Sequence, residues 1–357
     1  MTQNNGRILI IGGGPAGLEA ARSVADLGYS AVLVEKRDRL GGMPDEAHYA
    51  RLTHHFRDAE EAMNELIAAV TGNGGVEVLT SNEVVACEGE AGNFQVTLQN
   101  GAATQTVDAG AIIVATGFQH FDPGRETQYY NYYSFPDVIT IADLEGMLKA
   151  HEVVRPSNGQ PPERICFVQC VGSRDRQIGN EFCSKVCCGI ASKQAIEVRE
   201  QLPDSRVFIF YIDMRMYGYW ENELYWPAQE QHKVNFVKGL ISEVLPKGDR
   251  LLVRGEDTTM GRPMEVTVDL VVLSVGMEPS AGTRVVAKLL GVEQNKYGYI
   301  AAGGPTGVDP VATSRPGIFV AGAAAGPADL DDTFSTAGLA AARAVAAVRR
   351  AGLTRAA

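Results

Sequence analysis

A continuous apolar run, Arg7-Ile-Leu-Ile-Ile11, is followed at once by Gly12-Gly-Gly14-Pro15-Ala16-Gly17. A helix-like segment from Leu18 to Leu27 comes next, ended by Gly28, and then a second apolar run that closes on an acid, Ala31-Val-Leu-Val-Glu35. Few folds accommodate that order. The spacing of Gly12, Gly14 and Gly17 permits a tight turn, close approach of the backbone to a pyrophosphate, and close packing of helix on strand. The helix N-terminus behind the turn offers unpaired N–H groups and the positive end of its dipole to the phosphates. Glu35, with Lys36 beside it, ends the second strand where a carboxylate accepts both hydroxyls of a ribose. Glycine-rich turns also occur without ligands, but strand, turn, helix, strand and acid together predict a dinucleotide site in an α/β fold.

At 357 residues the chain exceeds what one hydrophobic core usually supports, so two domains or one split domain are expected. Arg39-Leu-Gly-Gly42 lies just past the second strand, ahead of Met43. A further buried strand, Ala111-Ile-Ile-Val-Ala115-Thr116-Gly117, ends in a turn, and another, Gly317-Ile-Phe-Val-Ala-Gly322, precedes an Ala-rich helical stretch from about Phe334. This spacing resembles the flavoproteins with two dinucleotide-binding domains, such as thioredoxin reductase and its relatives. The resemblance implies FAD bound by a Rossmann domain made of residues 1–130 and 280–357, split by a degenerate second Rossmann domain, 131–279. It further implies that the backbone at Val84 meets the adenine, and that the isoalloxazine lies between Gly42-Met43, Ala115-Thr116-Gly117 and a helix whose N-terminus is near Asp332 and Thr333. Those relatives carry Gly-Asp after the last strand, whereas this chain reads Ala321-Gly322-Ala323-Ala-Ala-Gly326. Asp329, Asp331 and Asp332 are the candidates to replace that ribityl-binding carboxylate.

The insert repeats the βαβ order: a strand over 164–169, a helix over about 187–201, and a strand from Arg206 to Asp213. Between the first two, Cys170-Val-Gly-Ser-Arg-Asp175 and a cysteine-bearing loop replace the glycine fingerprint. Asp213 sits where a nicotinamide cofactor's ribose would be gripped, but without the glycines a pyrophosphate has no close approach, so NAD(P)H is not expected here. Cys170, Cys183, Cys187 and Cys188 fall within one loop and the helix start behind it. Four soft thiolates suit a [4Fe-4S] cluster, and the helix start with Arg174, Arg176, Lys185 and Lys193 is expected to lower the thiol pKa values. Neighbouring side chains diverge by about 100° on a helix, so a non-helical turn is expected at 187–188. The rival readings are a tetrathiolate zinc site, although paired CxxC spacings are missing, a redox-active vicinal dithiol, and four inert core cysteines. Cys166 and Cys87 read as core residues.

Cys170-Val-Gly-Ser-Arg-Asp175, the Cys183/Cys187/Cys188 arrangement, Phe210-Tyr-Ile-Asp-Met-Arg215 with Tyr217-Gly218, and Asp269-Leu-Val-Val-Leu-Ser-Val-Gly-Met-Glu-Pro-Ser280 together resemble the A-type subunits of heterodisulfide reductase. The resemblance covers nearly the whole chain. It implies a [4Fe-4S] cluster on the four cysteines close to FAD, homodimerisation, partners of the B and C type, and a thiol or sulfur carrier protein reached through the complex. Methanogen members of that family carry additional CxxCxxC modules, which the six cysteines here do not allow, so within the family the chain resembles the compact A-like subunit of the bacterial sulfur-oxidising complex. The expected function is electron relay: two-electron flavin chemistry converted to one-electron transfer through a cluster within tunnelling reach. Two other classes stay open: a stand-alone NAD(P)H-dependent disulfide oxidoreductase using Cys187-Cys188, and a non-catalytic flavin-binding assembly subunit.

A formal charge of -11 argues against nucleic acid or an anionic membrane as partner. No run of about eighteen apolar residues suggests a spanning helix. The polar start, Met1 to Gly6, leaves no room for a signal sequence, and reduced clustered cysteines suggest the cytoplasm. Tyr129–Tyr133 and Tyr217–Trp220 read either as a partner surface or as packing; Arg57–Glu61 reads as a solvated face, and His54-His55 as surface residues rather than metal ligands.

Overall fold

The opening apolar run forms β1 (Ile8–Ile11), buried at every residue, because a parallel strand covered on both faces leaves no side to solvent. In the computed structural model, which describes residues 6–53 and 55–352, Pro15 opens α1 (Pro15–Asp26). Its fixed φ suits the first helical position and its missing N–H costs nothing there, so the helix begins one turn before the apolar periodicity does. There follow β2 (Ala31–Val34), α2 (Met43–Glu46), α3 (Ala59–Thr71) and β3 (Val76–Leu79). An antiparallel sheet of β4 (Glu83–Glu90), β5 (Asn93–Asn100) and β6 (Ala103–Ala109) leads into the fully buried β7 (Ala111–Val114).

The chain leaves this first unit within β8 (Phe118–His120) and returns to it within β16 (Met277–Pro279). The second unit holds β9 (Val138–Thr140), α4 (Ile141–Lys149), β10 (Arg164–Val171), α5 (Cys187–Gln201), β11 (Arg206–Tyr211) and α6 (Trp226–Glu230). It is completed by β12 (Asn235–Lys247), β13 (Arg250–Asp257), β14 (Arg262–Val268) and β15 (Leu270–Val275). Ala47–Glu60 also packs with this unit. Back in the first unit, α7 (Ala281–Leu290), β17 (Ile318–Val320) and α8 (Leu330–Arg350) finish the chain.

The first unit's main sheet is wholly parallel, in the order β17-β7-β1-β2-β3, with β1 at its centre. Helices α1 and α8 cover one face, and their alanines, Ala16, Ala20 and Ala21 with Ala337, Ala340, Ala341 and Ala344, share one buried cluster. Asp329 starts α8 by a capping box with Asp332, which places the helix start at Leu330 and not near Phe334. The second unit's sheet runs β14-β13-β12-β11-β10-β15-β9, parallel from β12 to β9 and antiparallel through the β12–β14 meander. Both units are thus Rossmann-like α/β layers.

Candidate functional site

In the first unit, β1 passes to α1 through Gly12, Gly13 and Gly14. Gly12 has a φ of 113°, and a Cβ there would stand 2.4 Å from the Ala115 oxygen; one at Gly17 would stand 1.8 Å from the Gly12 oxygen. These two glycines are demanded by the protein's own backbone. Gly14 is different. A Cβ there would meet only the Gly42 Cα, at an ordinary 3.5 Å, so its missing side chain leaves room for an incoming group rather than for the fold. Gly14 caps α1 without a side-chain hydrogen bond, and the first turn of α1 carries no acid, so an anion is favoured there. The buried Glu35 accepts from the Gly13 N–H at 2.6 Å and from the Arg37 N–H at 2.8 Å. Lys36 beside it is exposed.

Several of the other residues singled out from sequence lie beside this turn. Gly42, at φ 61°, lies against Gly14 and Pro15, and Met43 opens α2 behind it. The Thr116 N–H lies beside Gly12, and Gly322, at φ 59°, sits against Ala16 and Thr333. Ala323 continues from Gly322 as a buried turn, and Ala115 is buried as well. The Gly322 N–H donates to Thr336 Oγ1 at 3.0 Å, while Thr336 Oγ1 donates to the Asp332 oxygen at 2.7 Å. Asp329 accepts from the Asp332 N–H at 2.8 Å as part of the α8 cap. Val84 is buried in the core between the sheets, within β4 and opposite Leu98 of β5, where the register slips between Val84 and Ala86. Sequence reading missed the hydroxyl cluster under Thr116-Gly117: Thr116 Oγ1 and Thr283 Oγ1 are 2.7 Å apart, and Ser280 Oγ donates to the Thr116 oxygen at 2.9 Å. Only the N-cap signature of Ser280 before a helix was visible in the sequence.

In the second unit the equivalent connection runs from Val171 to Cys187. The β10–β15 register shifts between Val168 and Val171, and Cys170 there adopts φ 65°. A bulge of this kind re-aims a side chain at the end of a strand. Arg174 and Lys185 are also left-handed, and Gly172 is required because a Cβ would stand 2.1 Å from the Phe121 ring. The expected non-helical turn at 187–188 is overturned: both cysteines lie in the first turn of α5. Nothing caps α5 by side chain and no acid stands in its first turn, so its dipole faces the thiols.

N–H groups point at the sulfurs. The Lys185 amide donates to Cys183 Sγ at 3.3 Å, the Arg215 amide to Cys188 Sγ at 3.5 Å, and Arg174 Nη1 lies 4.0 Å from Cys170 Sγ. On either side of Cys170, the buried Gln169 amide and Ser173 hydroxyl make no hydrogen bond within the described residues. The expected lowering of the thiol pKa values is also overturned for Cys170, Cys187 and Cys188. Burial pushes Cys170 up to about 11, with Cys188 adding to the shift and Arg174 opposing it. Burial holds Cys187 well above the ordinary thiol range, reinforced by Cys188, Cys170 and Cys183; Cys188 is raised chiefly by burial too. Desolvation outweighs the nearby cations because few of them are near enough. Lys193 is instead buried in ion pairs with Glu145 at 2.6 Å and Glu197 at 3.2 Å, and Arg176 is exposed, 3.9 Å from Glu181. Lys185 lies over the Tyr217 ring.

Four mutually interacting thiols, amide donors aimed at them and a helix N-terminus together fit an iron-sulfur cluster in donor type and charge. Among the described residues no three His, Cys, Asp or Glu side chains converge as ligands of a single ion do. Asp213, read from sequence as a ribose-gripping acid, is claimed by Arg174 and by Arg215 at 3.3 Å. Burial works to raise its pKa, and the Arg174 and Arg215 guanidinium groups more than offset that. Cys166 is fully buried in the core as expected, while Cys87 is half-buried. Tyr130 is buried whereas Tyr129, Tyr133, Tyr217 and Tyr219 are exposed. His55 is exposed; His54 and Met1–Asn5 lie outside the described residues. No helix among the described residues is long and apolar enough to cross a membrane.

A family model described as pyridine nucleotide-disulphide oxidoreductase matches residues 6–152. The chain is similar to the second of two A-type iron-sulfur subunits of CoB–CoM heterodisulfide reductase in Methanopyrus kandleri, at 31% identity over 96% of this chain and 64% of that protein. It is also similar to the A-type iron-sulfur subunit of CoB–CoM heterodisulfide reductase in Methanocaldococcus jannaschii, at 32% identity over 92% of this chain and 62% of that protein. The chain therefore spans less than two thirds of the length of these relatives. The crystal structure of T. acidophilum thioredoxin reductase shares the fold, with a TM-score of 0.64 at 17% identity, covering 97% of this chain and 98% of that one.

Proposed function

Because the chain is homologous over nearly its whole length to the A-type subunits of heterodisulfide reductase, which are oxidoreductases, we propose that it is the FAD and [4Fe-4S] electron-transfer subunit of a heterodisulfide-reductase-like complex. When bound, FAD supplies two-electron chemistry and the cluster one-electron transfer. The residues of the first unit bind and orient. The amides of the β1–α1 turn and the α1 N-terminus hold the pyrophosphate, Glu35 accepts from the ribose, and Val84 offers backbone to the adenine. Gly42-Met43, Thr116-Gly117 and the α8 start at Asp332-Thr333 frame the ring, with Thr283 and Ser280 holding the Thr116 turn in place. In the second unit Cys170, Cys183, Cys187 and Cys188 hold the cluster, while amides of Lys185 and Arg215 share charge with the sulfurs. We further propose action as a homodimer with B- and C-type partner subunits in the oxidation of sulfur carried as thiol species.

The carrying observation is the thiol quartet standing where a nucleotide-binding Rossmann unit has its glycine turn. Anaerobic purification of the full chain tests it. About four iron, about four acid-labile sulfide and one flavin per chain are expected, with an EPR signal that grows on stepwise reduction. Preparations without iron overturn the proposal. NAD(P)H-driven flavin reduction with two thiols titrated per cycle and no iron would support a disulfide oxidoreductase instead.

A further inference from the structure

Arg174 places its guanidinium beside the thiol quartet, and several features fix it there. Its backbone is left-handed at φ 59°, and its N–H donates to the Phe182 oxygen at 2.9 Å. A side chain other than glycine holds this conformation only where its surroundings over-determine it. The guanidinium pairs through both Nη atoms with the Asp213 carboxylate, Nη2 at 3.2 Å, while Nη1 lies 4.0 Å from Cys170 Sγ. Only 18% of the Arg174 side chain is exposed, so solvent ions screen its charge poorly. Asp213 joins this to the other side of the quartet. Its carboxylate accepts from Arg215 Nε at 3.3 Å, the Arg215 amide donates to Cys188 Sγ at 3.5 Å, and the Cys188 thiol lies 4.0 Å from the Asp213 main-chain oxygen.

Resting on the reading of the quartet as a cluster site, we propose that the Arg174–Asp213 pair sets the reduction potential of that cluster, Arg174 raising it and the Asp213 charge moderating the rise. One electron from reduced flavin or a chemical reductant adds one negative charge; no bond forms or breaks and no proton moves. Burial of the thiols disfavours that charge, and a guanidinium fixed beside Cys170 stabilises it. The carboxylate occupies the position from which a nucleotide-binding Rossmann unit holds a ribose. Here it orients a cation instead.

The test is EPR-monitored stepwise reduction of the anaerobically purified full chain and of Arg174→Gln, Arg174→Lys and Asp213→Asn, with iron and flavin content measured on each. Arg174→Gln is expected to move the cluster potential to more negative values, Arg174→Lys to restore most of the loss, and Asp213→Asn to move it to more positive values. The flavin midpoint should stay fixed, which a general loosening of the protein would not produce. Equal shifts in Arg174→Gln and Arg174→Lys, or no shift in any variant, overturn the proposal. If Arg174→Gln assembles no cluster, the other two decide, and an Asp213→Asn potential at or below that of the unmodified chain overturns it. Iron missing from the unmodified chain defeats the cluster reading itself, and is seen before any potential is measured.

Discussion

The turn from β1 to α1 and the loop from β10 to α5 occupy the same place in two Rossmann-like units, a strand end passing to a helix N-terminus, yet they are built by opposite means. The first is three glycines, with α1 seated so close to β1 that Gly17 touches the Gly12 oxygen. The second extends over residues 172–186, and its helix opens on two buried cysteines. Both keep an uncapped helix N-terminus facing the connection, so both favour negative charge. What differs is the donor set: backbone amides suit phosphate oxygens, and thiols suit iron. A parallel αβ edge therefore presents a helix N-terminus that favours negative charge, and the connection decides which donors meet it.

The largest effects should separate the two connections cleanly. Gly17→Ala places a Cβ into the Gly12 backbone, so flavin binding and the folded first unit should be lost, which flavin content and circular dichroism would show. Cys187→Ser should remove the iron and leave one flavin per chain, measured by metal analysis and absorbance. Flavin loss in Cys187→Ser comparable to that in Gly17→Ala would mean the two sites are not independent, and the contrast between the connections would fail.

The helices are also seated differently. Where α1 relies on close backbone packing, α5 is anchored by Lys193, buried with Glu145 and Glu197, whose Nζ also donates to the Arg51 oxygen at 2.7 Å. Lys193→Ala leaves the buried Glu145 without its cation and Glu197 with only Arg51 at 3.8 Å, a loss of about 3–5 kcal/mol, read as a fall in the denaturant midpoint. A change under about 1 kcal/mol would show that apolar packing alone seats α5. Next in size is Gly14→Ala. The methyl group meets only ordinary contact in the protein, so stability should hold while flavin affinity falls by about tenfold or more, on the order of 1.4 kcal/mol. Unchanged affinity would remove Gly14 from the pyrophosphate site.

Legibility in the sequence follows the same divide. The β1–α1–β2 core of the first unit could be read closely, because glycine spacing, apolar strands and a terminal acid are local patterns; Gly12, Gly17, Glu35 and the start of β2 all stand where the spacing put them, while the β4–β6 sheet and the start of α8 did not show in it. The extent of α5 was legible for the same reason, though its first turn at 187–188 was expected to be non-helical. What the sequence hid was non-local. Thr283 reaches Thr116 across 167 positions, and Ala47–Glu60 joins the second unit through Ala50 and Arg51, the Ala50 N–H donating to Glu145 at 2.9 Å. The thiol pKa values were misjudged because counting neighbouring cations ignores where they point. Lys193 turns to its carboxylates and Arg176 to solvent, so desolvation decides the sign.

That sign gives the smallest expected effect and the last contrast. In the iron-free chain, Cys170 has an ordinary thiol value of 9.0 once unfolded and about 11 when folded, burial first and Cys188 second in raising it. The folded state therefore favours the protonated thiol. Its contribution is fully present below pH 9 and is lost as pH climbs through about 11. Thermal midpoints of the iron-free chain should fall across that window, and Cys170→Ala should flatten part of the slope. In the iron-loaded chain the thiol proton has already been displaced by the metal, so the slope should be shallower there, with buried groups such as Cys166 still contributing. A slope that persists unchanged with iron bound would place Cys170 outside the ligand set and leave the second connection with three thiols.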